Sequence, residues 1–185
     1  MHKPYNALGV ARDTNPSQPV TLIRPHAALR AARFFSEKFP GTTMYAVKAN
    51  PSPDLIRTLW DGGIKVYDVA SIAEVRLVRG LLPEATLCFM HPVKSPEAIA
   101  EAYFEHGVRT FSLDNLEELA KVVAATNGAA DLTLCVRLRV SSAHSKLSLA
   151  SKFGVGVEDA APLLMAARQA SDALGICFHV GSQAM

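Results

Sequence analysis

The sequence predicts an α/β protein of the (β/α)₈-barrel type, truncated so that about six of the eight strands lie within its 185 residues. Three observations predict it. Short apolar or β-branched runs alternate with helical segments, the alternation keeps a nearly constant step, and the first turn lacks a glycine fingerprint. Reference points near the strand ends, at Lys48, Asp68, His91, Asp114 and Arg137, are 20, 23, 23 and 23 residues apart. Strands joined through helices at that spacing pair in parallel by right-handed crossovers, which leaves an open doubly wound sheet or a closed barrel. The first strand is followed by Lys48-Ala-Asn-Pro51 instead of a Gly-rich phosphate turn, which favours the barrel.

Taken in order, residues 1–19 read as a polar N-terminal arm and 20–185 as the incomplete barrel. The six expected strands are TTMYAVKAN (42–50), IKVYDVAS (64–71), ATLCFMH (85–91), VRTFSLD (108–114), DLTLCVRLRV (131–140) and LGICFHVGS (174–182). The helices between them are punctuated clearly. Ser52-Pro53-Asp54 sets an N-cap hydroxyl before a proline at the first helical position, and Gly62-Gly63 supplies the stop. Ser71-Ile-Ala-Glu74 and Asp114-Asn-Leu-Glu117 read as capping boxes, and Ser95-Pro96-Glu97 opens a helix that His106-Gly107 closes. A whole barrel needs roughly 250 residues. The chain is therefore expected to be an N-terminal portion, with an open edge that leaves it poorly stable alone or completed by something else.

Composition narrows the function classes. With 49% hydrophobic and 19% charged residues the chain can bury a core, and no apolar run approaches the ~18 residues of a membrane span. A net charge of +2 without a basic stripe points to neither nucleic acid nor an anionic membrane. Cys88, Cys135 and Cys177 each sit in an apolar run without Cys-x-x-Cys spacing, so no metal site is expected and they read as buried free thiols. With an N-terminus that lacks an apolar signal core, this makes a cytoplasmic location the expectation.

A parallel barrel carries its chemistry at the C-terminal ends of its strands. The polar residues there are Lys48, Asp68 with Ser71, His91, Asp114, Arg137 with Arg139, and His179 with Ser182. Lys48 stands out, because strand alternation in Met-Tyr-Ala-Val-Lys-Ala places it with Met44 and Ala46, facing the barrel interior. A lysine there is costly unless paired, neutral or covalently used, and a neutral amine condenses with aldehydes. Pyridoxal phosphate is the obvious aldehyde; Gly181-Ser182 would begin a phosphate cradle and His179 would give its ring a flat partner.

The segments Tyr45-Ala-Val-Lys-Ala-Asn50, Tyr67-Asp-Val-Ala-Ser71, Lys152-Phe-Gly154 and His179-Val-Gly-Ser182, in that order and spacing, resemble the fold-type III pyridoxal-phosphate decarboxylases of ornithine, arginine and diaminopimelate. The resemblance spans about residues 20–185. It implies a barrel of the alanine racemase-like kind, a C-terminal β-domain absent from this chain, and a homodimer whose active sites draw on both subunits. By resemblance Lys48 is the cofactor-bearing lysine, Asp68 the acidic residue beside it, and Ala46 a residue lining the cofactor. Arg137 resembles the cofactor-pocket arginine, with Arg139 a competing choice, His179 the histidine stacked on the cofactor ring, and Ser182 a phosphate-binding hydroxyl. The serine-rich stretch 141–151 resembles a flexible active-site loop and Lys152 a residue that bridges to the second subunit.

Phe89-Met-His-Pro-Val-Lys94 is similar to the Asn-Pro-x-Lys element of ornithine decarboxylases, with His91 at their asparagine, and tilts the substrate to L-ornithine, giving putrescine. Diaminopimelate, lysine and arginine decarboxylases remain alternatives. From a different class comes a non-catalytic fragment or pseudoenzyme that binds cofactor or pairs with a full-length relative. A third candidate, a single-domain barrel that only carries pyridoxal phosphate, is disfavoured by the Pro-x-Lys and Lys-Phe-Gly elements. The chain alone is expected to be inactive.

Overall fold

The computed structural model describes residues 6–140, 145–147 and 152–184. Two helices come first, α1 (Ala7–Thr14) and α2 (Pro25–Lys38), followed by β1 (Met44–Ala46), a 3₁₀ turn (Val47–Ala49), α3 (Pro53–Asp61), β2 (Val66–Val69), α4 (Ile72–Leu81) and β3 (Thr86–Phe89). Then come α5 (Pro96–Phe104), β4 (Thr110–Leu113), α6 (Leu116–Ala125), β5 (Thr133–Leu138), β6 (Ser145–Leu147), α7 (Val157–Gln169), β7 (Ala173–Phe178) and β8 (Ser182–Ala184). β1, β2, β3, β4, β5 and β7 form one sheet in that order, every pair parallel, and β6 and β8 make a separate antiparallel pair. The six expected strands are the six strands of this curled half-barrel. The polar arm, to which the sequence reading assigns no element, carries α1, none of whose residues is buried.

Register explains why two such different faces coexist. Tyr67, Leu87, Phe89, Phe111, Leu113, Leu134 and Val136 share one face across paired positions and are buried. Helices α3–α7 pack in sequence over this layer, closing it with Ile56, Val75, Val78, Ile99, Val122 and Leu163. The alternate positions are small or polar, with Ala46 opposite Asp68, Asp68 opposite Cys88, Ser112 opposite Cys135 and Arg137 opposite Cys177. Period-two alternation thus separates a hydrophobic outer layer from an inner face that is mostly small or polar, with Met44 and Val66 the apolar exceptions at its β1 end.

Several local expectations need correction. The first strand is shorter than 42–50: it ends at Ala46, and Lys48 lies in the 3₁₀ turn, so the alternation that set Lys48 beside Met44 and Ala46 stops two residues too early to apply. Ser52 starts α3 without a side-chain cap, and Asn50 Oδ1 accepts the Ser52 N–H instead at 3.0 Å. The box expected from Asp114 is shifted by one residue. Asn115 caps α6, accepting the Glu118 N–H at 2.7 Å, which leaves the Asp114 carboxylate free for a long-range bond. Ser71 caps α4 as expected, while Glu74 reaches back to the Ala70 N–H at 2.8 Å. Cys88 is buried, but Cys135 and Cys177 are only half-buried; all three are unbridged thiols.

Candidate active site

At the C-terminal end of the sheet the loops enclose a cavity of ≈ 170 Å³. Lys48, Asp68, Arg137 and His179 line it together, from the ends of β1, β2, β5 and β7. Because the strands are parallel, residues 48, 68, 137 and 179 reach one mouth although they are far apart in the chain. Lys48 is exposed to solvent on the open side of the sheet while lining this cavity, so the amine faces the mouth and not a sealed interior. Ala46 sits on the inner face as the register partner of Asp68 and is not among the lining residues. The Ser182 backbone pairs with Leu147, whereas its side chain, His144 and most of the serine-rich stretch lie outside the described residues.

The two arginines separate cleanly. Arg139 is turned away, its guanidinium donating twice to the Gly154 carbonyl at 3.0 and 3.2 Å. Arg137 points into the cavity with its guanidinium carbon 5.3 Å from the centre of the Phe153 ring. Phe153 is a lining residue whose task the Lys-Phe-Gly motif did not disclose, and the same ring meets His91 edge-on at 5.4 Å.

Gly154 explains why the motif ends in glycine. Its φ is +100°, and a Cβ there would lie 2.8 Å from the Arg139 backbone nitrogen. The close approach lets Val155 bridge to Leu138, with Val155 N–H donating to the Arg137 carbonyl at 2.9 Å and Arg139 N–H to the Val155 carbonyl at 2.8 Å. Asp114 completes the bracket by accepting the Gly154 N–H at 2.9 Å. This 40-residue link has no local sequence signal.

Charge in the cavity is mixed. Burial pushes the Asp68 carboxyl above its ordinary pKa, against the pull of Lys48, while Glu74 pushes it further up and Arg137 and His91 oppose that. His179 is held below its ordinary value by burial and then by the positive charges of Arg137 and Lys48. Its Nδ1 accepts the Gly181 N–H at 2.9 Å, which assigns the proton of the neutral ring to Nε2 and fixes the ring's orientation. His91 Nδ1 accepts the Val93 N–H at 3.0 Å in the same manner.

Comparison with known proteins gives these residues a setting. Residues 26–185 match the family model of the pyridoxal-dependent decarboxylases, pyridoxal binding domain. The chain belongs to this family. It is 38% identical over 143 residues to a lysine/ornithine decarboxylase of Selenomonas ruminantium, covering 76% of this chain and 35% of that protein. With an ornithine decarboxylase of Panagrellus redivivus it shares 39% over 140 residues, 75% of this chain and 31% of the relative. Among solved structures, a variant Selenomonas ruminantium lysine decarboxylase in complex with pyridoxal phosphate superposes with a TM-score of 0.85 at 30% identity, covering 97% of this chain and 47% of that one. The chain thus spans about a third of the length of the curated relatives it matches.

Pyridoxal phosphate is the cofactor of this pyridoxal-binding domain. The donor set fits it: an amine at Lys48, a fixed positive charge at Arg137 for an anion, a flat imidazole at His179 and a carboxyl at Asp68 line one cavity.

Proposed function

We propose that this chain is the cofactor-binding part of a pyridoxal-phosphate-dependent decarboxylase of basic amino acids, with L-ornithine the first choice of substrate and putrescine the product. The observation that carries the reading is that Lys48, Asp68, Arg137 and His179 converge on one cavity in a chain of this family. The His91-Pro92-Val93-Lys94 element at the cavity wall supports ornithine over diaminopimelate, with lysine and arginine as alternative substrates.

When bound, pyridoxal phosphate supplies an electron sink for the charge left by loss of the α-carboxylate. In the reading proposed here Lys48 would hold the cofactor at the mouth, its amine exposed and within the cavity that a substrate amine would enter. Arg137 holds the anionic end of the ligand by charge, its guanidinium steadied over Phe153. His179, locked by Gly181, offers an uncharged face to a flat ring. Asp68, with its carboxyl pKa raised by burial and drawn down by Lys48, is placed to take or hold a proton beside that amine.

The proposal extends to a first unit over residues 1–19 and the binding domain over 20–185, to a cytoplasmic location consistent with the three free thiols, and to a homodimer in which exposed Lys152 beside the mouth reaches the second subunit. Among the described residues no helix is long and apolar enough to cross a membrane. Among the described residues β1 and β7 each pair on one side only, which supports the further reading that the 185-residue chain by itself releases little carbon dioxide.

The test is borohydride reduction of the protein mixed with pyridoxal phosphate, followed by peptide mapping. The label is expected on Lys48 and lost in Lys48→Ala; label that persists elsewhere at equal yield overturns the assignment. Carbon dioxide release from carboxyl-labelled ornithine, lysine and arginine then ranks the substrates.

A further inference from the structure

The cavity wall formed by the β3–α5 connection stands on a buried ion cluster to which the proposed function gives no task. The Lys94 side chain is 0% exposed and that of Glu118 3%, with Nζ 2.9 Å from Oε1. Lys94 Nζ also donates to the carbonyls of His91 at 2.9 Å and Ser112 at 2.6 Å, so its three protons meet three acceptors. Glu118 Oε1 accepts the Lys94 backbone N–H at 3.2 Å, and Lys121 Nζ lies 2.5 Å from Oε2 and donates to the Lys94 carbonyl at 2.6 Å. The bonds of Lys94 to Ser112 and Glu118 and of Lys121 to the Lys94 carbonyl join the 91–94 segment to the end of β4 and to α6.

Stability does not account for such a device. Removing two charges from water costs each its hydration, and apolar residues of equal volume commonly hold a fold as well or better. What apolar residues do not supply is direction. With two of its donors held by Ser112 and Glu118, the ammonium directs the third at the His91 carbonyl, and the ring attached to that backbone is the one that meets Phe153 edge-on at 5.4 Å and lines the cavity beside Pro92. Arg137 packs over the same Phe153.

We propose that Lys94 and Glu118 form a positioning pair that sets the His91–Pro92 wall against Phe153 and thereby tunes the affinity of the cavity for its phosphorylated aldehyde. The affinity half of this statement rests on the proposed function; the geometric half does not.

The paired variant Lys94→Met/Glu118→Leu removes both charges at similar volume. Its melting temperature is expected to stay within a few degrees of the unsubstituted protein. Its His91 ring-proton NMR signals, which the Phe153 ring 5.4 Å away is expected to displace in the parent, are expected to move toward those of a free histidine, and its dissociation constant for pyridoxal phosphate to rise at least tenfold. If the paired variant does not fold, a second neutral pair, Lys94→Leu/Glu118→Met, is read by the same two measurements, since removing one charge alone leaves the other buried without its partner. Arg76→Ala, which breaks an exposed pair with Glu101 on α4 and α5, is the control and leaves both readouts unchanged. Unmoved His91 signals, or unchanged affinity despite moved signals, overturn the positioning role. A parent protein that binds no pyridoxal phosphate while the His91 signals still move in the variant supports the geometric half and sinks the proposed function instead.

Discussion

The β3–α5 wall of the cavity and the β7 wall differ in how their backbones are held. At the first, the chain leaving β3 is tied to β4 and α6 by a fully bonded ion cluster, and Phe89 and Phe111 beneath it are 2% and 0% exposed. At the second, β7 pairs with β5 on one side, and the face that continues the hydrophobic layer is open, with Ile176 57% and Phe178 61% exposed. Leu134 and Val136, the register partners of Leu174 and Ile176, are fully buried under α7. The same residue types in the same layer therefore differ in energy because β5 lies fully under α7, whereas β7 meets α7 on one side only and, among the described residues, has no helix over its other side. A cavity framed in this way has one fixed side, which aims His91, and one side whose geometry rests on strand pairing and on the Gly181 bond to His179.

The largest effect that would sharpen this contrast comes from matched substitutions in the two regions. Phe111→Ala is expected to cost about 3–5 kcal/mol, the range for emptying an aromatic site in a packed core. Ile176→Ser is expected to stay within about 0.5 kcal/mol, as for an exposed position. Urea denaturation of both variants checks this, and a β7 substitution as costly as the β4 one would show that the open face is covered in solution.

Gly154→Ala comes next. A left-handed φ of +100° and backbone atoms at 2.8 and 2.9 Å leave no room for a methyl group, so the turn must shift at a cost of about 1–3 kcal/mol. The bond from Gly154 N–H to Asp114 is expected to weaken with it, read as faster amide exchange at Gly154. An unchanged denaturation midpoint with unchanged exchange would show that the bracket between β5 and the Phe153 turn is slack.

The smallest effect is electrostatic. His179 should titrate below 6.5 by NMR, and Arg137→Gln should bring the midpoint up by removing one of the charges that oppose imidazolium. Between the folded-state value and 6.5 the unfolded chain binds the proton that the folded one refuses, so this residue makes stability fall as pH drops through that window. A midpoint above 6.5 would mean that Asp68, not Arg137 and Lys48, dominates the field at the ring.

How much of this was legible differs from residue to residue. The six parallel strands and the caps at Ser71 and Ser95 follow from short-range patterns that repeat along the chain. The shared mouth of Lys48, Asp68, Arg137 and His179 follows from strand ends in a parallel sheet. Lys48 itself was placed for the wrong local reason, since the strand stops at Ala46 and a 3₁₀ turn carries the lysine to the rim. The choice between Arg137 and Arg139 was open in the sequence, because both stand at the end of one strand and only the position of the Gly154 carbonyl separates them.

The sequence by itself determined the order of strands and helices, the hydrophobic outer layer and the polar inner face, because periodicity and capping act over a few residues. Only the tertiary structure decided that Lys94 is buried against Glu118, that Asp114 serves Gly154 instead of its own helix, and that Phe153 joins His91 to Arg137. Those contacts depend on how neighbouring units of the sheet are set beside one another, and that relation is written into no single stretch of chain.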